Sequence, residues 1–300
     1  MIYTVTLNPS LDYVIRVDQF RPGQINRNKE EHIYCGGKGI NVSWILNELG
    51  YQSTCLGFTA GFTGKALCDE LNRQGIRSDF IEVSEGMTRI NVKMKSDEET
   101  EINGTGPLIK PEDFNALIKK TASLNHDDIL VLSGSIPSCM SSDAYERILQ
   151  KLPEGVPAVV DAEKDLLLNV LKFHPFLIKP NNLELGAMFS ADIRSKEDVI
   201  RYARKLQERG ARNVLVSMAK DGAVLIDETG HTASIGVAEG TVVNSVGAGD
   251  SMVAGFLAGY LETNDYAYAL KLGTACGGAT AFHSGLASRE EIEAVLARLH

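Results

Sequence analysis

Two glycine-rich clusters have residue types and spacing suited to handling a phosphate. The later one, Asn244-Ser245-Val246-Gly247-Ala248-Gly249-Asp250-Ser251, leads into a segment with Met252, Val253, Phe256, Leu257, Tyr260 and Leu261 on one helical face. Ala254, Gly255, Ala258 and Gly259 lie between them, small enough for close packing. A Gly-Ala-Gly turn opening a helix presents unpaired backbone N–H groups, and the helix dipole adds partial positive charge. Together these make an anion site. Asp250 stands at its mouth, either as a carboxylate that takes a proton or as a plain helix cap. In the earlier cluster, Gly36-Gly37-Lys38-Gly39-Ile40-Asn41 precedes a helix carrying Ile45, Leu46 and Leu49 and ending at Gly50. Its glycines let backbone approach a ligand, Lys38 supplies positive charge, and Asn41 can donate and accept. Alone, the same run also reads as a strand-to-helix turn with a solvated lysine. Asp12, four residues after Asn8, reads by default as a surface-loop residue.

Neither cluster is a standard nucleotide loop. The P-loop pattern G-x-x-x-x-G-K-[ST] is approached only at Thr59-Ala60-Gly61-Phe62-Thr63-Gly64-Lys65-Ala66. There Thr59 replaces the first glycine and Ala66 the metal-holding hydroxyl. The dinucleotide fingerprint G-x-G-x-x-G follows a first strand, whereas here Asn8-Pro9-Ser10 does. The late Gly247-Ala248-Gly249 run has Met252 at the third glycine position.

The elements that must position these residues are legible as periodicity. Apolar runs at Ile2–Leu7, Thr54–Phe58, Ile129–Ser133, Ala158–Asp161, Phe176–Lys179 and Val214–Ser217 read as parallel strands covered on both faces. Amphipathic helices lie between them. Lys196–Arg209 gathers Val199, Ile200, Ala203 and Leu206 on one face. Ser288–Leu299 gathers Ile292, Val295, Leu296 and Leu299 behind a Ser288-x-x-Glu291 capping box. This alternation predicts an α/β chain with one open sheet between helix layers. Two regions break it. Asp12–Val17 alternates weakly, and His32–Tyr34 follows a polar stretch. Thr88–Lys95 alternates strictly, with Ile90, Val92 and Met94 on one face, and Glu101–Asn103 adds a short run. Period two with one wet face predicts a small antiparallel sheet acting as a lid or a dimer surface.

Composition narrows the function. The 300 residues suit one large domain, and no linker divides them. Hydrophobic residues are 44%, charged residues 23%, and the net charge is −9. That balance is ordinary for a globular protein and lacks the basic surplus nucleic acid needs. No apolar run is long enough for a bilayer, and Met1–Leu7 lacks the basic start of a signal peptide. A cytoplasmic protein with neither nucleic-acid nor membrane partner is expected. Cys35, Cys55, Cys68, Cys139 and Cys276 form no C-x-x-C pair and are expected to be reduced, mostly buried thiols without a zinc role.

Taken together, these residues resemble the PfkB family of carbohydrate kinases, with its ribokinase-like fold. Gly36-Gly37-Lys38-Gly39-Ile40-Asn41 matches the first family signature. Gly247-Ala248-Gly249-Asp250 matches the second, written D-T-x-G-A-G-D, with Asn244-Ser245 replacing the leading Asp-Thr as in the sugar-phosphate branch. Asn181-Asn182-Leu183-Glu184, after Lys179-Pro180, matches the family's N-x-x-E motif. The resemblance runs from Ile2 to the last helix. It implies an α/β fold: a three-layer αβα sandwich with a mostly parallel central sheet. It also implies a single kinase domain over residues 1–300, with a small antiparallel β lid from about 12–36 and 87–105.

The resemblance also implies roles. Asp250 would be the catalytic base beside the Gly247, Ala248 and Gly249 amides. An unperturbed aspartate titrates near ~3.9 and is ionised at neutral pH. ATP would be the co-substrate, with Mg²⁺ held by Glu184 and Asn181 through water. Glu184 by itself reads as a first-turn helix charge. Nucleotide binding would fall to Lys179, Asn181, Ser217, Gly222 and Gly249, with the Gly273–Ala281 helix beside adenine. Asp12, Gly37, Lys38, Asn41, Arg89 and Asn103 would hold the sugar. Asn8–Asp12, Thr88–Lys93 and Glu98–Gly104 resemble the branch that acts on sugar phosphates. The implied reaction is transfer from ATP to the 6-hydroxyl of D-fructose 1-phosphate, giving fructose 1,6-bisphosphate and ADP. Tagatose 6-phosphate and fructose 6-phosphate are alternative acceptors, and a non-catalytic sugar-phosphate sensor is the alternative outside the class. Lys38 and Arg89, helped by Arg27 and Lys93, would supply the cations a phosphate needs, unless Arg89 and Lys93 are simply solvated. A homodimer through the lid is expected because exposed sheet edges seek partners.

Overall fold

The computed structural model describes residues 1–299, the side chain of Lys164 excepted. The first half of the chain forms β1 (Ile2–Thr6), β2 (Ser10–Arg16), β3 (Glu30–Gly36), α1 (Lys38–Glu48), β4 (Ser53–Thr59), α2 (Gly61–Arg73), β5 (Arg77–Ser78), β6 (Ile81–Glu82), β7 (Arg89–Lys95), β8 (Thr100–Ile102), α3 (Pro111–Thr121), β9 (Ile129–Ser133) and α4 (Ala144–Lys151). The second forms β10 (Ala158–Asp161), α5 (Lys164–Val170), β11 (Leu177–Ile178), α6 (Asn182–Met188), α7 (Lys196–Glu208), β12 (Asn213–Ser217), β13 (Ala223–Ile226), β14 (Thr232–Ile235), α8 (Ala248–Thr263), α9 (Tyr266–Ala281) and α10 (Arg289–Leu296).

Ten strands make the main sheet, in the order β14-β13-β12-β11-β10-β9-β1-β4-β5, with β6 also beside β4. The pairs from β12 across to β5 are parallel, and β13 and β14 turn back antiparallel at one end. The apolar runs are buried on both faces because side chains alternate across a strand. In β9, Leu130 and Leu132 pack with residues of α3 to α7. Ile129 and Val131 pack on the other side with α1, α8, α9 and α10. Each fully buried side chain of this size contributes about 1.5–3 kcal/mol, so both layers are firmly held. The small residues of α8 let α9 come close: a β-carbon on Gly255 would stand 2.7 Å from the Leu272 carbonyl oxygen. The strand expected over Phe176–Lys179 shortens to β11. Ser288 and Glu291 make the expected capping box at the start of α10.

The second sheet has the order β3-β2-β7-β8. Its outer pairs, β2–β3 and β7–β8, are antiparallel, but the central β2–β7 pair is parallel. Alternation specifies a one-sided strand and not its direction. Ser10 and Arg89 both start at the base of the lid and Arg16 and Lys95 both end at its tip, because β3 brings the chain back to the base, at Gly36, before α1, β4 and α2 intervene. The register puts Ser10, Asp12, Arg89, Asn91 and Lys93 on one face and Leu11, Tyr13, Ile15, Ile90, Val92 and Met94 on the other. The apolar face is anchored at its base, where Leu11 and Cys35 join Ile40, Cys55, Leu67 and Leu71. Farther out, Ile33 and Ile102 are 64% and 65% exposed. All five cysteines are free; Cys35, Cys55 and Cys276 are buried and Cys139 is exposed. Among the described residues, no helix is long and apolar enough to cross a membrane.

Candidate active site

Residues of interest gather at the carboxyl ends of the parallel strands, where open α/β sheets bind ligands. Thr6 ends β1, Ser133 ends β9, Asp161 ends β10, Ser217 ends β12, and Lys179 follows β11. Two helices point their N-termini at this edge. Gly37 caps α1 at φ 131°, a left-handed conformation that glycine tolerates; Lys38 and Asn41 follow in the first turn. Gly247, at φ 81°, caps α8, and Asp250 sits in its first turn.

Between helices and lid lies a cavity of about 470 Å³. Asp12, Gly37, Lys38, Asn41, Arg89 and Asn103 all line it, together with Gly247 and Asp250. Thr6, Asn8 and Ser133 complete its floor. Among the described residues, Thr6 Oγ1, Asn8 Oδ1 and Ser133 Oγ are buried without a hydrogen-bond partner. Each such group costs about 1–3 kcal/mol, and all three belong to residues that line this one cavity. A second cavity of about 650 Å³ continues past Asp12 and Lys93 toward Tyr34 and Trp44.

Asn41 Nδ2 donates to Asp250 Oδ2 at 2.7 Å. Asp250 does not keep the ordinary acidity expected of it. Burial, and next the negative charge on Asp161, push its carboxyl up to about 7, against the pull of Lys38, the Asn41 hydrogen bond and Lys179. The expected anion hole also differs in detail. The Ala248 amide donates to the Ser245 carbonyl at 3.2 Å. Among the described residues, the Gly247, Gly249 and Asp250 amides meet no acceptor in the fold, so the open donors are these three and not Ala248.

Asp161 escaped the motif reading. Its carboxylate is buried, with Lys38 Nζ 3.6 Å from Oδ2 and Lys179 Nζ 3.5 Å from Oδ1. The one sequence signal for it is a charged residue closing an otherwise apolar parallel strand at the ligand-binding end. Burial pulls the Lys38 ammonium down, but the carboxylates of Asp161, Asp250 and Glu184 together hold it above its usual value. Lys179 lies directly under the α8 turn, since a β-carbon on Gly249 would be 3.0 Å from its Nζ.

The lid supplies the opposite wall. Asp12 accepts from Ser10 Oγ at 2.7 Å and Asn91 Nδ2 at 2.9 Å, and its other oxygen lies 2.9 Å from Lys93 Nζ. Arg89 Nε donates to the Asn8 carbonyl at 3.1 Å. Burial lowers the Arg89 guanidinium from its ordinary value, against Asp12. Arg89 and Lys93 are therefore half-buried and tethered, not simply solvated. Asn103 lines the cavity but is exposed. Arg27 is exposed in the β2–β3 loop and lines neither cavity.

Of the expected nucleotide and metal residues, Asn181, Glu184, Ser217 and Gly222 line neither cavity. Asn181 and Glu184 form a reciprocal capping box on α6, each bond 2.8 Å, so Asn181 Oδ1 and Glu184 Oε2 are already engaged and Glu184 Oε1 stays open. Among the described residues no cluster of three His, Cys, Asp or Glu could hold a metal. Ser217 pairs with Asn181 in an isolated bridge. Gly222 has a packing reason of its own: at φ 88°, its β-carbon would lie 1.9 Å from the Ile235 carbonyl oxygen.

Comparison with known proteins adds to this geometry. A family model described as pfkB family carbohydrate kinase matches residues 5–293. A Bacillus subtilis protein named 1-phosphofructokinase is 47% identical over 298 residues, covering 99% of this chain and 97% of the relative. A Bacillus licheniformis protein named D-tagatose-1-phosphate kinase is 38% identical over 295 residues, covering 98% and 96%. The crystal structure of phosphofructokinase-2 from Escherichia coli in complex with substrates and products superposes with a TM-score of 0.92 at 27% identity, covering 99% of each chain.

Proposed function

The chain belongs to the pfkB family of carbohydrate kinases, whose phosphoryl donor is ATP, and from that premise we propose that its acceptor is D-fructose 1-phosphate, phosphorylated at the 6-hydroxyl to give fructose 1,6-bisphosphate and ADP. The observation that carries the choice is one cavity with a carboxylate base on one wall and tethered cations on the other. Asp250, Arg89 and Lys93 line the same cavity, the first from α8 and the other two from β7. A neutral sugar needs only hydroxyl partners, which Asp12 and Asn41 provide. Two cations lining a cleft on a chain of net charge −9 match an acceptor that already carries phosphate. The Bacillus subtilis relative's name agrees with that class.

In this reading, Asp250 takes the proton of the acceptor hydroxyl as its oxygen bonds to the γ-phosphorus. The bond from that phosphorus to the β–γ bridging oxygen breaks, and ADP leaves. Asn41 orients the Asp250 carboxylate, and the Gly247, Gly249 and Asp250 amides stabilise charge on the moving phosphoryl group. A carboxyl near pH 7 is well matched to general-base work. Lys38 and Lys179 add positive charge on either side. Steady ADP production with fructose 1-phosphate, tagatose 1-phosphate, fructose 6-phosphate and fructose compared side by side tests the choice. Equal kcat/KM for fructose and fructose 1-phosphate would remove it.

A second reading is transfer to D-tagatose 1-phosphate, favoured by the Bacillus licheniformis relative. The two ketose 1-phosphates share the phosphate position and the reacting hydroxyl and differ at one ring carbon. The same side-by-side assay ranks them, with tagatose 6-phosphate and fructose 6-phosphate as further arms. The sensor reading loses support from the intact Asp250 and its open amides.

An oxygen-only donor set suits a hard divalent ion, and Mg²⁺ commonly rests on one carboxylate, substrate phosphates and water. The open Glu184 Oε1 fits that pattern, while the engaged Asn181 Oδ1 would act through water. Such an ion would neutralise ATP phosphate charge. The apolar outer lid face, with Ile33 and Ile102 exposed, supports a homodimer joined there. The same reading carries residence in the cytosol, where thiols such as Cys139 stay reduced.

A further inference from the structure

We propose that Asp161 is the positioning residue that joins the two halves of the site: its carboxylate holds Lys38, from the wall of the sugar cavity, and Lys179, from beneath the first turn of α8, on either side of the path the phosphoryl group takes. The proposal rests on the kinase reading and on Asp250 as its base.

Asp161 is 2% exposed and closes β10. Its backbone is fixed, since its carbonyl accepts from the Gly134 amide at 3.1 Å. Its side chain is bonded far more loosely. Both lysine contacts, 3.6 and 3.5 Å, exceed the ~2.7–2.9 Å of a tight charge-assisted hydrogen bond. Among the described residues, Oδ2 has no hydrogen-bond partner within the usual distance, and neither has Ser133 Oγ, on the residue paired with Asp161 across β9 and β10. A buried carboxylate kept only for stability is saturated by close donors. This one holds two ammonium groups by charge and leaves their N–H donors free to turn to an anion between them.

Three carboxylates meet two ammonium groups here. Asp161, Asp250 and, from α6, Glu184 act on Lys38, on α1, while Asp250 also feels Lys179, after β11; Asn41, also on α1, is the uncharged neighbour that bonds Asp250. Without Asp161, the two ammoniums would repel each other and turn to Asp250 instead. The base would then be ionised at lower pH and correspondingly weaker, and both lysines would leave their stations.

The experiment is steady-state kinetics of Asp161→Asn on the full-length enzyme, with ATP and fructose 1-phosphate varied separately across pH. The expected result is a kcat lower by at least about tenfold. The acid limb of kcat/KM moves down by about one pH unit, because removing a like charge favours ionised Asp250. KM changes for both substrates, whereas Asp12→Asn changes it for the sugar alone. A parental kcat with an unmoved acid limb overturns the proposal. If Asp161→Asn does not fold by circular dichroism, the Lys38→Met and Lys179→Met pair decides. Two lysines acting through one carboxylate lose less together than the product of their separate losses, and strictly multiplicative losses overturn the proposal. Asp250→Asn in the same assay separates the two claims. Parental turnover there removes the base reading and leaves the lysine coupling to be judged by its own cycle.

Discussion

In the proposed reaction, Asp250 and Arg89 are the two side chains on which the chemistry would turn. General-base catalysis is worth ~10²–10⁴-fold, so Asp250→Asn should lower kcat by that factor with ATP binding retained. A near-parental kcat would take Asp250 out of the mechanism. The parent should lose kcat/KM below about pH 7 as the raised Asp250 carboxyl takes up a proton, whereas an ordinary aspartate would hold activity to about pH 4. The sign for stability is the reverse. The folded chain holds a proton on Asp250 that the unfolded chain releases from its ordinary 3.8 upward. Stability from this group is therefore fullest at low pH and lost as pH rises through about 7. The Asn variant escapes that loss, so its Tm at pH 8 should equal or exceed the parent's. Arg89→Ala should cut the kcat/KM preference for fructose 1-phosphate over fructose by at least about tenfold, as expected for a lost charge-assisted contact. An unchanged preference measured by coupled ADP assay would return Arg89 to a structural role.

At the scale of elements, the turn between β12 and β13 depends on one residue. A β-carbon at Gly222 would meet the Ile235 carbonyl oxygen at 1.9 Å, and its φ of 88° already disfavours other residues. Gly222→Ala should cost about 1–3 kcal/mol, a Tm fall of roughly 2–5 °C for a domain of this size. Thermal melts that match the parent would show that β14 yields easily. The capping box on α6 bears on the metal in the same way. Asn181 and Glu184 are spent largely on each other, so any Mg²⁺ must be held mainly by ATP. Activity should vanish in excess EDTA and return with Mg²⁺, with no change in the far-ultraviolet spectrum, because no helix depends on the ion. Full turnover in EDTA would sink the metal assignment.

For the whole molecule, the lid decides what can assemble. Its polar face lines the cleft and its apolar face is covered only at the base, leaving Ile33 and Ile102 exposed on the same side as Tyr13 and Val92. A second copy would cover that face. Light scattering after gel filtration should give a dimer for the parent and a monomer for Ile33→Asp combined with Ile102→Asp. A parent that runs as a monomer at micromolar concentration would end this assignment.

Much was legible from residues alone because it is local. The strand β9 announces itself by five successive buried positions, and α10 by its capping box and periodic apolar face. The Gly-Ala-Gly-Asp turn marks a candidate anion site from four adjacent residues. These features depend on neighbours in the chain, so sequence alone determined the α/β class, the two clusters and the candidate base. The tertiary structure decided everything that depends on distant residues meeting. Asn41 and Asp250 are 209 positions apart and share a 2.7 Å hydrogen bond. Asp161 is 250 − 161 = 89 positions from Asp250, yet its charge helps move that carboxyl to about 7. The parallel β2–β7 pair, the tethering of Lys93 to Asp12 and the loss of the Ala248 amide to Ser245 were equally invisible. Acidity, strand direction and hydrogen-bond availability are set by burial and by the charges and acceptors within a few ångströms, and only the folded chain brings those together.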